Sequence, residues 1–291
     1  MPLTPVPDDV FCTPMLQGGK DEQADGTFSA YPVSLQDIRD ACCQLKSSLQ
    51  LTGQASDILE EKTRGQSASS LWHESRRLRL TASCFHQIIN RRQTTCPSAF
   101  LRQQLYSTGR VQTKAMRLGL EREDGAAQRY KLQKQVEGEE LTLSEAGLRV
   151  CADMGFLGAS VDRIARDDCG RMILVELKNP DNTWEFENVL DIPQKQKCVS
   201  KTACGQRLEL NKKHSYYTQV QGQMYVYGSN QCDFVLCTKT AMHTERIERD
   251  ESFITDMIKK LEAFYDNIYL PEIVYPRIKH GLPPVNLGSL E

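Results

Sequence analysis

The sequence predicts one mixed α/β fold, in which a central mixed β-sheet is flanked by helices. Helical periodicity prevails up to about residue 133, and short runs typical of strands and turns follow it. A further helix, a strand pair and a last amphipathic helix complete the order. Because strands and helices are interspersed, a single sheet covered by helices is favoured over two separate domains.

The N-terminal part is expected to be an extension of this domain. Residues 1–33 are rich in Pro, Gly and Asp and have no apolar period, so we expect them to be loose. A helix is predicted over residues 35–51, with Ser34 as its N-cap. Its apolar positions recur at helical spacing: Ile38, Cys42, Leu45 and Leu49. We therefore divide the chain into a partly disordered extension, residues 1–64, and a main domain, residues 65–291.

Within the main domain, a helix is expected to begin near Ser70, and a second one to span residues 111–133. We expect the second helix to bury one face: Met116, Leu120, Ala127 and Tyr130. Its glycines, Gly119 and Gly125, are expected to allow a close approach to the sheet.

The second half of the chain predicts strands, a loop and two helices. Strands are expected at residues 148–151, 156–165 and 171–178, with a turn at 167–170, and again at 232–239 and 243–249. The polar segment 180–212 predicts a long loop, and helices are expected at 214–227 and 251–267.

Composition places the chain among ordinary globular proteins, with 40% hydrophobic and 25% charged residues. We expect no transmembrane helix and no signal peptide, because there is no run of about 18 apolar residues and no basic then apolar N-terminus. Eleven cysteines without a repeated spacing are best interpreted as reduced thiols. We therefore expect an intracellular protein, in the nucleus or cytoplasm, that is not secreted.

The net charge of −2 hides a strong asymmetry. Between Lys62 and Lys131 there are fourteen Lys and Arg against four Asp and Glu, a local charge of +10. The remaining residues must therefore carry −12. Such a segment can be a plain solvated surface, but here it flanks the acidic site described next. The position of this basic segment beside the acidic site favours a polyanionic ligand, namely nucleic acid.

The strand at residues 173–178 carries a Glu-x-Lys pattern. Alternation places Glu176 and Lys178 on one face, which is also the pattern of an edge strand whose charged face meets water. If the turn is centred on residues 168–169, Asp162 lies across from Val175 or Glu176. Two neighbouring carboxylates suit Mg²⁺ or Mn²⁺. Lys178 could then orient a water, help to deprotonate it, and neutralise charge on a phosphate.

Other polar residues extend this site, although each has a structural alternative. Spacing does not distinguish Glu123 from Glu121 and Asp124 on the predicted helix, and such acidic residues are commonly only solvated. Gln219 either packs at the edge of the core or touches a water or phosphate.

A cluster of arginines precedes two hydroxyl residues, Thr81 and Ser83. Guanidinium groups bind phosphate in a bidentate way, so Arg76, Arg77 and Arg79 are candidates for a terminal-phosphate clamp. A basic helix end can equally be a solvated face.

Together these segments resemble the PD-(D/E)xK nuclease superfamily, and within it the lambda-type exonucleases and YqaJ-like viral recombinases. The resemblance covers about residues 65–270 and implies a restriction-endonuclease-like core. It is carried, in order, by residues 71–76 (LWHESR), 80–83 (LTAS), 119–126 (GLEREDGA), 158–162 (GASVD), 175–180 (VELKNP) and 216–221 (YYTQVQ).

The resemblance implies roles for individual residues. The implied catalytic residues are Glu123, Asp162, Glu176, Lys178 and Gln219. The implied ligands of Mg²⁺ or Mn²⁺, with two ions expected, are Glu123, Asp162, Glu176 and the carbonyl of Leu177. The expected nucleic-acid contacts are Arg76, which resembles the arginine that receives a 5′ phosphate, together with Arg79, Thr81, Ser83 and Tyr216.

The function implied is Mg²⁺-dependent 5′→3′ digestion of double-stranded DNA in recombination or repair. Some relatives form ring-shaped trimers and act beside a strand-annealing protein. Alternatives are a structure-selective or site-specific endonuclease, a non-catalytic DNA-binding partner, and an RNA substrate.

Two positions depart from the family pattern. Val161 stands in place of Pro and Arg163 in place of Gly, which bears on the turn and the DNA path. Some relatives bind an iron–sulfur cluster, but the cysteine spacing here lacks that pattern, so no cluster is expected.

Overall fold

The structure is a computed structural model that describes residues 33–107 and 113–289. The loose segment expected at residues 1–33 therefore lies outside the described residues except for its last position, as does the predicted helix start at residue 111. In the described ranges, every helix is too short or too polar to cross a membrane.

Helices occur in each of the five regions where they were predicted, and the described residues contain further helices as well. The Ser34 hydroxyl accepts from the N–H of Asp37, whose carboxylate accepts from the N–H of Ser34, so the first helix begins with a capping box. Thr113 caps the longest helix in the same region where its start was predicted. The α-helices are α1 (Leu35–Ser48), α2 (Gly53–Lys62), α3 (Ser70–Arg77), α4 (Ala82–Ile89), α5 (Ser98–Leu101, continued by the π-helical Arg102–Tyr106), α6 (Lys114–Val136), α7 (Ser215–Tyr227), α8 (Glu251–Phe264, continued by the π-helical Tyr265–Tyr269) and α9 (Leu270–Val274).

The strands form a central mixed sheet and two smaller sheets. They are β1 (Leu80–Thr81), β2 (Leu141–Glu145), β3 (Arg149–Val150), β4 (Leu157–Ala159), β5 (Arg163–Asp167), β6 (Met172–Lys178), β7 (Val199–Lys201), β8 (Leu208–Leu210), β9 (Gln231–Cys237) and β10 (Met242–Glu248). The central sheet has the order β10-β9-β6-β5-β2, with β6 and β9 parallel and the other neighbours antiparallel. The predicted fold class is confirmed. The smaller sheets are β1-β4-β3 and β7-β8.

The hairpin of β5 and β6 has the register that the site requires. Arg163 lies opposite Val175. One residue further along, the same register places Asp162 opposite Glu176, one of the two predicted pairings. Gly170 closes the turn with a φ of +76°, a conformation that favours glycine.

The two faces of β6 enter different parts of the core. Val175 and Leu177 pack with Tyr130 of α6 on one face. Leu174 faces the larger cluster, which includes residues of α4 and α7. Because Glu176 shares the face of Leu174, the predicted alternation directs its carboxylate toward α7.

Two predictions for α6 were wrong. Met116 and Leu120 are 51% and 52% exposed, whereas Tyr130 is fully buried as predicted. The buried residues of this helix lie in its second half. A Cβ at Gly119 or Gly125 would meet open space, so neither glycine is needed for a close approach.

The predicted long loop at residues 180–212 contains more structure than expected. The hairpin of β7 and β8 lies within it, together with short 3₁₀ segments at Asp181–Thr183 and Val189–Gln194. Strands of three residues are too short to show a clear period.

The N-terminal helices are attached to the rest of the chain by apolar and polar contacts. Ile38 and Leu45 belong to the large core cluster. The Ser56 hydroxyl donates to the carbonyl of Val150 and accepts from its N–H. Division of the chain at residue 64 stays a prediction.

The contact between α7 and α4 depends on a glycine. A Cβ at Gly222 would lie 2.6 Å from the ring of Phe85, closer than side chains tolerate. Gly222 therefore lets α7 sit deep against α4. This depth in turn places Gln219 and Gln223, on the same helix, next to β6.

Gly222→Ala is expected to destabilise the fold by about 1–3 kcal/mol, because the added methyl group must displace the Phe85 ring. Urea unfolding would measure the change. The control is Gly125→Ala, which places a methyl group in open space and should stabilise α6 by about 0.5–1 kcal/mol. A Gly222→Ala protein as stable as the wild type would show that the helices separate at no cost.

Candidate active site

The carboxylate of Glu176 lies at the centre of a buried hydrogen-bond network. Glu176 is 2% exposed. Lys178 and Gln219 donate to its Oε1, the amide nitrogen of Gln219 from 2.5 Å. Gln223 donates to its Oε2 from 2.7 Å. Because a buried charge without partners is costly, these three donors make burial of the carboxylate possible.

Asp162 faces Glu176 across the hairpin. Its Oδ2 accepts from the N–H of Leu177 at 2.6 Å. Burial raises the pKa of Asp162 well above its usual range, and the negative charge of Glu176 raises it further. Two carboxylates in this relation favour a cation or a proton between them.

Lys178 lies beside both carboxylates. Burial alone would lower its pKa, but the charges of Glu176 and Asp162 outweigh that effect and raise it. Its Nζ also lies 4.8 Å from the ring centre of Tyr216, a cation–π contact. The side chain is therefore an ammonium group in this environment.

Of the three acidic candidates on α6, Glu123 is the one at the site. It lines the same groove as Asp162, whereas the side chain of Glu121 is 58% exposed. Arg163 bridges Glu123 and Asp124, with nitrogen–oxygen distances of 2.6 Å and 2.5 Å. Burial raises the pKa of Glu123, although the neighbouring guanidinium opposes the shift.

The oxygen atoms of the site that Arg163 does not bind are of the kind that suits a hard divalent cation. Asp162, Glu176 and the carbonyl of Leu177, the ligands that the resemblance implies, would supply oxygen atoms, the type that Mg²⁺ and Mn²⁺ prefer. Within residues 33–107 and 113–289, no three His, Cys, Asp or Glu side chains converge as a metal-binding group. Mg²⁺ commonly keeps several waters, so two carboxylates and a carbonyl are an adequate protein contribution.

A groove of about 790 Å³ opens over these residues. Asp162, Leu177 and Lys178 line it from the sheet, and Tyr216 lines it from α7. Its opposite wall is the first half of α6, with residues 179–182 and Gln196 completing the rim. The exposed apolar side chains of α6 described above thus face the groove.

Arg76 belongs to a second polar cluster. Its guanidinium lies 4.0 Å from the ring centre of Trp72, and its Nη2 is 3.3 Å from the hydroxyl of Ser83. Thr81 lies 3.4 Å from the same hydroxyl. The indole N–H of Trp72 donates to Ser160, two residues before the aspartate of the site. This indole therefore links the arginine cluster to the carboxylates.

Arg79 is not part of that cluster, contrary to our expectation of a nucleic-acid contact. It is 5% exposed, and its guanidinium donates to the carbonyls of Gly155, Ser75 and Leu49 at 2.8–3.1 Å. Burial lowers its pKa to about 10. The side chain points into the protein because it satisfies carbonyl groups that would otherwise be buried without partners.

Residues 71–231, which are 161 of the 291 in the chain, match the YqaJ-like viral recombinase domain. The chain belongs to this family. The matched range includes the arginine cluster, all the carboxylates of the site and the whole of α7, so the predicted resemblance is confirmed.

Crystal structures of LHK-Exo, an alkaline exonuclease from Laribacter hongkongensis, are similar to this YqaJ-family chain. The structure in complex with dAMP is 25% identical with a TM-score of 0.53, covering 73% of this chain and 98% of that one. A second structure of that enzyme is 24% identical with a TM-score of 0.50, covering 67% and 90%. A phage-related exonuclease from Haemophilus somnus is 17% identical with a TM-score of 0.44, covering 68% and 95%. No curated protein matched the chain at a significant level.

Sequence reasoning missed Gln223 as a member of the hydrogen-bond network around Glu176. It is completely buried, and its amide donates both to Glu176 and to the carbonyl of Ser160. A signal was available, because Gln219 and Gln223 stand four residues apart and share one helix face. Trp72 was also missed as the residue that links the two clusters.

Arg79→Met is expected to destabilise the protein by about 2–4 kcal/mol, because buried carbonyl groups lose their donor. Chemical unfolding would measure this loss. Arg77→Met is the control, since Arg77 is exposed and its replacement should change stability by no more than about 0.5 kcal/mol. Unchanged stability combined with weaker DNA binding would instead assign Arg79 to the nucleic-acid surface.

Proposed function

We propose that this YqaJ-family protein is a metal-dependent deoxyribonuclease, most specifically a 5′→3′ double-strand exonuclease in DNA recombination or repair. The observation that carries the proposal is the Glu176 carboxylate, buried among Lys178, Gln219 and Gln223 and facing Asp162. Exonuclease activity is also what the family resemblance and LHK-Exo support. The complex of that enzyme with dAMP supports a deoxynucleotide ligand.

Asp162, Glu176 and the Leu177 carbonyl would hold the divalent cation. When bound, Mg²⁺ or Mn²⁺ supplies charge to the phosphate oxygens and lowers the pKa of a coordinated water. The raised pKa of Asp162 supports this assignment, since a cation relieves the repulsion between the two carboxylates.

Lys178 acts as an ammonium group in the proposed reaction. Its proposed contribution is to orient the attacking water and to stabilise charge on the phosphate. Glu176 and Tyr216 fix its position from two sides. The Gln219 amide holds the same carboxylate oxygen, which keeps the glutamate in one orientation.

Arg76 would receive the 5′ phosphate of a DNA end. Ser83 and Thr81 add hydroxyl donors beside it, and the Trp72 ring holds the guanidinium in place. Bidentate binding by arginine suits a terminal phosphate, which offers several free oxygens. In the proposal, the distance between Arg76 and the carboxylates would determine which phosphodiester bond is hydrolysed. A ring-shaped trimer and a strand-annealing partner, both implied by the resemblance, complete the proposal, and sedimentation of the purified protein tests the trimer.

Lys178→Ala and Glu176→Gln are expected to lower the rate of digestion by at least about 10²–10³-fold, because each removes charge that acts on the reacting phosphate. Release of nucleotides from linear duplex DNA with Mg²⁺ would measure this, and closed circular DNA should survive. Lys259→Ala, which alters an exposed lysine of α8, is the matched control. Wild-type rates in both variants would refute the site, and nicking of closed circles would favour an endonuclease.

The phosphate clamp predicts a preference for 5′-phosphorylated ends. Wild-type protein should digest a 5′-phosphate duplex about tenfold faster than a 5′-hydroxyl duplex, a difference of about 1.4 kcal/mol typical of a charge-assisted contact. Arg76→Ala should abolish the preference by slowing the phosphorylated substrate alone. Arg77→Ala should retain it. An equal preference in wild type and Arg76→Ala would show that Arg76 does not bind the terminal phosphate. A matched RNA duplex would test whether the protein distinguishes DNA from RNA.

A further inference from the structure

Arg163 stands where the family pattern has glycine, and its side chain enters the active site. The side chain is 11% exposed. Its Nη1 lies 2.6 Å from Glu123 Oε1 and 2.5 Å from the carbonyl oxygen of Asp162, while its Nη2 lies 2.5 Å from Asp124 Oδ1. The guanidinium is thus fixed by oxygens from both the helix and the strand of the site.

These contacts engage the carboxylate that the family resemblance assigns as a metal ligand. An arginine cannot lose its charge at accessible pH, so it competes with a cation for Glu123 permanently. Removing the carboxylate from this pair would leave a guanidinium charge nearly buried, which is unfavourable. One oxygen of Glu123, its Oε1, is therefore bound by a positive charge of the protein itself.

We infer that Arg163 takes the place of a second divalent cation, so that the site binds a single Mg²⁺ or Mn²⁺ at Asp162, Glu176 and the Leu177 carbonyl. This inference rests on the proposed nuclease function and deepens it. Arg163 is then a charge-balancing and positioning residue, because it acts through Glu123.

The formal charges of the site agree with one ion. The carboxylates of Glu123, Asp162 and Glu176 carry −3, and the side chains of Arg163 and Lys178 carry +2, which leaves −1 when all are ionised. The charge of Asp124 is left out of this sum because its side chain is 88% exposed and is screened by water. One divalent ion and one phosphodiester group bring the total to zero. A second divalent ion would add an uncompensated +2 in a partly buried groove, where unbalanced charge is costly. Glycine in place of Arg163 would remove one positive charge and free Glu123.

Counting bound Mn²⁺ on the intact protein without DNA tests the inference. Titration calorimetry, together with the electron paramagnetic resonance signal of free Mn²⁺, should give one ion per wild-type chain. Arg163→Gly should give two, and adding Glu123→Gln to that variant should return the count to one. Arg166→Gln, which alters an exposed arginine three residues further along the same strand, should leave the count at one.

A second measurement does not depend on the folding of the glycine variant. The paired variant Glu123→Gln/Arg163→Gln, which removes one negative and one positive charge together, should bind one Mn²⁺ with less than a threefold change in affinity, because neither residue binds the ion. A loss of tenfold or more would overturn the inference, as would two ions on the wild-type chain. If Mn²⁺ binding is absent or is insensitive to Asp162→Asn, the proposed function fails and the inference with it. Two bound ions that both depend on Asp162 would refute the inference but leave the proposed function standing.

Discussion

The rest of the site depends on how the protein buries the charge of Glu176. A carboxylate at this depth requires donors on every side, and the sheet alone supplies only Lys178. The remaining donors, Gln219 and Gln223, come from α7. The position of α7 against β6 is therefore an electrostatic requirement as well as a packing one. A small displacement of this helix would withdraw two donors from a buried charge at once.

That requirement ties the two halves of the site together. α7 rests on α4 through the contact of Gly222 with Phe85, and the Thr218 hydroxyl lies 3.0 Å from Nδ1 of His86. α4 begins beside Ser83, a member of the arginine cluster. The same helix packing that satisfies the buried carboxylate consequently fixes the position of the arginine cluster relative to the carboxylates.

Local pattern was sufficient to predict the parts of the site that depend on a period of two. Alternation placed Glu176 and Lys178 on one face, and the turn at residues 167–170 brought Asp162 opposite Val175 or Glu176. The structure selects Glu176 and shows that its face meets α7. Sequence could not predict the fate of Arg79, because whether a basic residue faces water or buried carbonyls is decided by distant segments such as Leu49. The predicted burial of Met116 was wrong for the same reason, because helical spacing does not show where the supporting sheet ends.

Arg163 shows how a residue outside the implied ligand set can alter the charge of a candidate metal site. Arginine in place of glycine at position 163 removes none of the expected ligands. The sequence motif of carboxylates and a lysine is therefore complete. In the structure the guanidinium nevertheless binds Glu123 and the Asp162 carbonyl, and so alters the charge available to cations. A carboxylate attracts a cation less strongly when a neighbouring positive charge already balances it. The number of cations that such a site binds therefore depends on all the charged groups near it. On this inference, the fixed positive charge of Arg163 takes the place of one mobile cation, and a single divalent ion would be enough for the site to bind a phosphodiester.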